Sequence, residues 1–268
     1  MNSIQITIEA DEEKQEILIS ELSDFGVHGF EQTENYLIAY FNENSFRSYE
    51  VNDLLKNYSF TTQVIEARNW NEEWESNFQP VIVNNFCAIR AEFHSPVTNV
   101  EHEVIIKPKM SFGTGHHATT YMMIEQMSEI DFRNKTVFDF GTGTGILSIL
   151  AEKLGASKIE AIDVDDWSII NARENIEKNH SSKISVMLSS QIPDEMFDII
   201  LANINRNILL TYIPRLCQSL KVNGYLLLSG LLTSDERDIM DVCLKEKLKP
   251  VKTVERSTWI SLLFIKGL

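Results

Sequence analysis

The sequence predicts an α/β protein in two parts. A small ferredoxin-like α+β domain comes first, then a mostly parallel sheet covered by helices and finished by an antiparallel terminal hairpin. Three observations carry this prediction. Residues 1–67 run strand, helix, strand, strand, helix, strand, which is the ferredoxin-like order. From Thr136 to Ser229, β-rich runs alternate with stretches of helical periodicity, as parallel strands joined by crossover helices require. The last two runs, Val251–Arg256 and Trp259–Ile265, are separated only by Ser257–Thr258 and must pair as a hairpin.

Each element has a local reason. Ile4, Ile6 and Ile8 alternate with polar residues, the pattern of a half-buried strand. Asp11 opens a helical stretch with Ile17, Leu18, Leu22 and Phe25 at helical spacing, and Gly26 stops it. The runs Gly29–Thr33 and Tyr36–Phe41 flank the turn-like pair Glu34–Asn35. Ser45 is placed to cap a second helix carrying Val51, Leu54 and Leu55, and Phe60–Ala67 closes the domain. Residues 68–80 read as a linker, with Trp70 and Trp74 one helical turn apart and Pro80 at its end. These indoles are better suited to packing than to stacking a substrate.

Residues 81–268 form the larger domain. Two β-rich runs lead from Val81 to Lys107, and a helix spans Tyr121–Ile130, with Thr119 or Thr120 as its cap. Strands follow at Thr136–Phe140, Lys158–Asp163, Ile184–Leu188 and Phe197–Ala202. Helices are predicted at Ile146–Leu154, from an Asp165 or Asp166 cap to Lys178, and from about Asn207 to Leu220. Gly224 is read as a turn into the strand Tyr225–Ser229, and a final helix as running from about Asp235 to Leu248.

Composition narrows the function. Asp and Glu number 39 against 24 Lys and Arg, a formal charge of −15. Such a surface repels phosphate backbones and attracts basic proteins. No apolar run is long enough to span a bilayer, and residues 1–10 lack the basic and apolar regions of a secretion signal. Cys87, Cys217 and Cys243 are odd in number and far apart, which suits buried thiols in a reducing cytoplasm.

The strongest chemical signal is VFDFGTGTGIL at 137–147. A strand runs into Gly141, Gly143 and Gly145 and then directly into a helix, a turn where a Cβ would block close approach of a ligand. Asp163 ends the next strand and can accept hydrogen bonds from ribose hydroxyls. A dinucleotide fingerprint needs its third glycine one residue later, where this chain has Ile146. The shorter turn suits a ligand without phosphates, such as S-adenosylmethionine, whose charged amino-acid end would bond the turn's backbone. Gly113 and Gly115, in KMSFGTGHHATT at 109–120, could line the same ligand. The adjacent His116 and His117 have neither the spacing nor the carboxylate partners of a metal site, so no metal is expected. Asn203, at the end of FDIILAN, sits where open α/β sheets hold ligands.

Together FGTGHHATT, DFGTGTGILSILAEKLGA, IDVDDWSIINARENIEKN, ANIN, LLLSGLL and TWISLLF resemble the ribosomal protein L11 methyltransferase family. The resemblance is strongest over residues 107–265, and W-x3-W-x3-F-x-P at 70–80 adds to it. The chain departs from that pattern at His116, Ala118 and Asn205, where threonine, proline and leucine are usual. The resemblance implies a Rossmann-like class I methyltransferase sheet behind a substrate-recognition domain at 1–67. It implies cofactor contacts at Thr120, Gly141, Asp163 and Asn203, with Asn203 also holding the reactive amine, and Gly143 of the same turn is read as a further cofactor contact. It further implies a cytoplasmic enzyme that methylates lysine side-chain and/or N-terminal amines of ribosomal protein L11. The alternative is methylation of a glutamine amide or nucleobase amine. Enzymes of that kind usually carry Asn-Pro-Pro-Tyr where this chain reads Asn203-Ile204-Asn205-Arg206.

Overall fold

A computed structural model describes residues 3–23, 25–43, 46–65, 78–107 and 113–268, which fall into two compact units, 1–76 and 77–268. Trp70 and Trp74 lie outside the described residues.

The first unit contains β1 (Ser3–Glu9), α1 (Glu12–Ser23), β2 (Val27–Gln32), β3 (Tyr36–Asn42), α2 (Ser48–Leu54) and β4 (Phe60–Ile65). Its sheet has the order β2-β3-β1-β4, with β1 antiparallel to both neighbours. Alternation along β1 turns Ile4, Ile6 and Ile8 onto Leu18 and Leu22 of α1 and Val51 of α2. Two details differ from the sequence reading. Ile17 is exposed, while Gln15 turns inward and its Nε2 donates to the carbonyls of Ala10 (2.8 Å) and Thr33 (2.9 Å). A buried amide that satisfies two loop carbonyls outweighs one more apolar contact. The N-cap of α2 is Arg47, which makes no side-chain capping bond, and Ser45 lies outside the described residues.

The second unit opens with β5 (Val81–Val83), β6 (Cys87–Ala91) and β7 (His102–Ile106). Three strands replace the two expected runs because Asn84, at φ 50°, folds the first run into a hairpin. The main sheet comprises β8 (Thr136–Phe140), β9 (Lys158–Asp163), β10 (Ile184–Leu188), β11 (Phe197–Asn203), β12 (Leu220–Leu232), β13 (Leu248–Arg256) and β14 (Trp259–Lys266). Its order is β10-β9-β8-β11-β12-β14-β13; the first five are parallel and β14 is antiparallel to both neighbours. The helices are α3 (Ala118–Met127), α4 (Ile146–Lys153), α5 (Asp166–Lys178), α6 (Arg206–Gln218) and α7 (Glu236–Lys245). One core forms where α3 and α4 cover Val137, Ile199 and Leu227, another where α6 and α7 cover Phe138, Ile200 and Leu226. The alternating residues of each buried strand feed these two cores in turn.

Gly224 is not a turn between elements. It lies inside β12, where the pairing register with β11 shifts and a Cβ would fall 2.8 Å from the carbonyl oxygens of Asp198 and Lys221. The last helix stops at Lys245 rather than Leu248, because Lys247 at φ 62° redirects the chain into β13. Cys87, Cys217 and Cys243 are buried free thiols, and burial pushes Cys87 and Cys217 up to about 12. Among the described residues no helix is long and apolar enough to cross a membrane.

Candidate active site

Strand order reverses at β8: β9 and β10 lie on one side of it, β11 and β12 on the other. Open α/β sheets bind ligands beside such a point, at the C-terminal strand ends. Here three neighbouring ends converge, for β9 ends at Asp163, β8 runs into Gly141, and β11 ends at Asn203. Thr120, Gly141, Gly143, Asp163 and Asn203 line one cavity of about 420 Å³. Gly113 joins them, whereas Gly115 lies against Ile89, 2.9 Å from where its Cβ would be.

The glycine turn is built by close approach. Gly141, Gly143 and Gly145 all have positive φ, and a Cβ on Gly141 would lie 2.4 Å from Cγ2 of Ile204. Four of the turn's amides are engaged within the fold. Gly141 and Thr142 donate to the carbonyl of Ile162, Gly143 to Oδ2 of Asp163, and Gly145 to the carbonyl of Thr142. These four donors are held by the fold itself, which fixes the conformation of the turn.

Asp163 is braced rather than buried. Its Oδ2 accepts from Gly143 N at 2.9 Å and its Oδ1 from Asp165 N at 3.1 Å. A carboxylate has about four acceptor sites, so further lone pairs remain for ligand hydroxyls.

Asn203 is 8% exposed. Its Nδ2 donates to Oγ1 of Thr120 at 3.2 Å, and its Oδ1 is buried with no partner. A buried acceptor left unsatisfied beside a cavity is costly unless a ligand supplies the donor. Thr120 thus has a different local role from the cap predicted for it or Thr119. His117 occupies the N-cap and its Nδ1 accepts from Thr119 N, which frees Thr120 to face Asn203.

Two features escaped the sequence reading. Asp139, two residues before the first glycine, is fully buried and accepts from Oγ1 of Thr142 (2.7 Å) and Oγ of Ser148 (2.6 Å). Burial pushes its carboxyl up to about 6, against the opposing pull of these two hydroxyls. An acid inside the apolar run VFDF was the signal for it. Trp259, at the start of β14, lines the cavity edge-to-face with His117, ring centroids 4.6 Å apart. Only the hairpin brings it there. The adjacent histidines diverge, His117 towards Trp259 and His116 towards Phe78. Asn205 caps α6 by accepting from Ile208 N at 3.1 Å.

With the Asp163 carboxylate lining it and four of the turn's amides already donating within the fold, the cavity is better fitted to a cationic ligand than to a pyrophosphate. The family model for "Ribosomal protein L11 methyltransferase (PrmA)" matches residues 2–267. The chain belongs to the ribosomal protein L11 methyltransferase family. A relative of that name from Porphyromonas gingivalis is 39% identical, covering 93% of this chain and 90% of the relative. Another from Chlorobaculum tepidum is 37% identical, covering 98% and 96%. Among solved structures, a ribosomal protein L11 methylase from Lactobacillus delbrueckii subsp. bulgaricus superposes with a TM-score of 0.66 at 29% identity. It covers 71% of this chain and all of that one. A Pyrococcus furiosus methyltransferase, at 20% identity and TM-score 0.52, shares the fold over 62% of this chain and 90% of its own. The parallel sheet, glycine turn and terminal hairpin are those of a class I S-adenosylmethionine-dependent methyltransferase.

Proposed function

We propose that this protein transfers methyl groups from S-adenosylmethionine to lysine side-chain and/or N-terminal amines of ribosomal protein L11. The observation that carries this reading is the unpartnered Oδ1 of Asn203, a residue that lines the cavity beside the glycine turn. Asp163 would hold the ribose hydroxyls, and the glycine turn would take the amino-acid end, with Thr120 and Asn203 beside it.

S-adenosylmethionine supplies an electrophilic methyl group on a sulfonium. The protein's task is then alignment, because an in-line displacement needs little besides a correctly oriented lone pair. Asn203 Oδ1 accepts one N–H of the incoming amine and points its lone pair at the methyl. Nδ2 of Asn203 is engaged by Oγ1 of Thr120, which leaves Oδ1 as the amide's unpartnered atom. A lysine amine, with an ordinary pKa near ~10.4, must shed its proton first, and desolvation between Trp259 and Ile204 favours the neutral form.

The first unit serves recognition in this proposal. Residues 1–76 hold 16 Asp and Glu against four Lys and Arg, a formal −12 of the chain's −15. A surface so charged draws in a basic protein and repels free RNA. A ribosomal protein substrate would place the reaction in the cytoplasm.

The test is mass spectrometry of purified L11 incubated with the protein and S-adenosylmethionine. Mass increments of whole methyl groups on amine-bearing residues are expected. An unmodified L11, with another protein or a nucleobase methylated instead, would refute the substrate assignment.

A further inference from the structure

Helix α5 carries Asn171 and Asn175, and Asn179 is its C-cap; the three lie one turn apart and are directed inward along one side. Opposite them lies β7, the edge strand of the three-stranded sheet. Asn179 Oδ1 accepts from Ile105 N at 3.0 Å and its Nδ2 donates to Ile105 O at 2.6 Å. Two residues on, Asn175 Oδ1 accepts from Lys107 N at 2.7 Å. The side chains of a helix thereby replace the missing neighbour strand, satisfying backbone groups that an edge would leave open.

Asn175 does more than finish this ladder. Its Nδ2 also donates to the carbonyl of Thr144, in the middle of the glycine turn, at 2.8 Å. Thr144 in turn donates from Oγ1 to the carbonyl of Gly113 at 2.7 Å. Asn175 and Thr144 are both fully buried. One relay therefore runs from Lys107 through Asn175 and Thr144 to Gly113, joining the end of β7 to both glycine clusters. Thr144 stands between Gly143 at φ 53° and Gly145 at φ 79°, and glycines place little steric restraint on the peptides beside them. The orientation of the Thr144 peptide must then come from hydrogen bonds, and Asn175 supplies the one to its carbonyl.

We propose that Asn175 is a positioning residue for the cofactor: it sets the glycine turn through Thr144 without touching the ligand. The inference rests on the reading of this cavity as an S-adenosylmethionine site. Loss of the relay leaves every ligand contact in the sequence but lets the turn sample orientations that do not bind. The affinity falls by the fraction of time the turn is misplaced.

The probe is S-adenosylhomocysteine, titrated calorimetrically into full-length proteins at a temperature where all are folded. Asn175→Ala and Thr144→Val should each weaken binding about tenfold, the effect of one net hydrogen bond. Their double variant should weaken it far less than a hundredfold, because both changes break the same relay. Thr144→Ser keeps the hydroxyl and should bind like wild type. Asn179→Ala breaks the ladder on β7 but not the turn, so it should lower Tm and leave affinity within about twofold. The inference is overturned if Asn175→Ala binds like wild type, or if Asn179→Ala loses as much affinity as Asn175→Ala. A wild-type protein that binds no S-adenosylhomocysteine would overturn the cofactor reading, and this inference with it.

Discussion

Gly230 and Ile204 meet backbone to backbone across the floor of the cavity. Gly230 sits at φ 85°, and a Cβ built on it would lie 2.3 Å from the carbonyl oxygen of Ile204 and 2.9 Å from its nitrogen. Gly230 falls where the register between β12 and β14 shifts, so the bulge brings the backbone against the residue that follows Asn203. Gly230→Ala must strain φ and displace Ile204 together, costing about 2 kcal/mol or more. Thermal unfolding should show the loss, and cofactor affinity should fall with it, because Ile204 also covers Gly141. An alanine variant with unchanged Tm and binding would show that this contact relaxes at no cost.

Asn203→Ala removes the acceptor proposed to hold the amine. The expected result is a fall in kcat of about 100-fold, the size of a lost positioning contact, with a smaller loss of cofactor affinity. Thr120→Val, which leaves Asn203 in place but unbraced, should lower kcat by about tenfold, the effect of one hydrogen bond. Single-turnover methylation measures both. The wild-type rate should also rise from about pH 7 to 9, as more of the amine becomes neutral. If Asn203→Ala reacts at the wild-type rate, the amine is held elsewhere.

Asp163→Ala should weaken S-adenosylmethionine binding by about 1.5–3 kcal/mol, the range for hydrogen bonds to a charged group. Part of that loss comes from Gly143, whose amide would lose its partner. Calorimetric titration is the direct check, and undiminished affinity would remove Asp163 from the site.

Asp139 makes stability depend on pH in a direction unlike that of a surface carboxylate. Burial raises its folded-state value from 3.8 to about 6, so folding favours the protonated acid. Its contribution is complete below pH 3.8 and is lost as pH rises through about 6. Asp139→Asn stays neutral throughout. Whatever constant offset the substitution brings, its stability relative to wild type should improve from pH 4 to 7 by about 2 kcal/mol. Denaturant unfolding across that range tests this, and a difference that ignores pH would show that Asp139 is not a buried acid.

A chain beginning at Arg68 should bind cofactor normally yet fail to methylate intact L11, if the acidic first unit captures the substrate. Raising salt from about 50 to 500 mM should slow the full-length protein by screening that attraction. Equal rates for the two chains on intact L11 would end the recognition role.

The sequence by itself determined what is local. Alternation in Ile4–Ile8, the strand-turn-helix at 136–153 and the acid at Asp163 each follow from spacing over a few residues, which sets how side chains distribute between core and solvent. The placement of Asn203 at a strand end followed from the same periodicity. Tertiary structure alone decided what those groups could do once neighbours arrived. Asp163, from the next strand, takes up the Gly143 amide and so braces the turn. His117 relieved Thr120 of capping, and a hairpin more than a hundred residues away delivered Trp259 to the same cavity. Asn171, Asn175 and Asn179 read as polar positions on an ordinary helix until β7 lay beside them. Hydrogen bonds between residues distant in sequence leave no periodic trace, because they depend on where the folded backbone brings each donor to its acceptor.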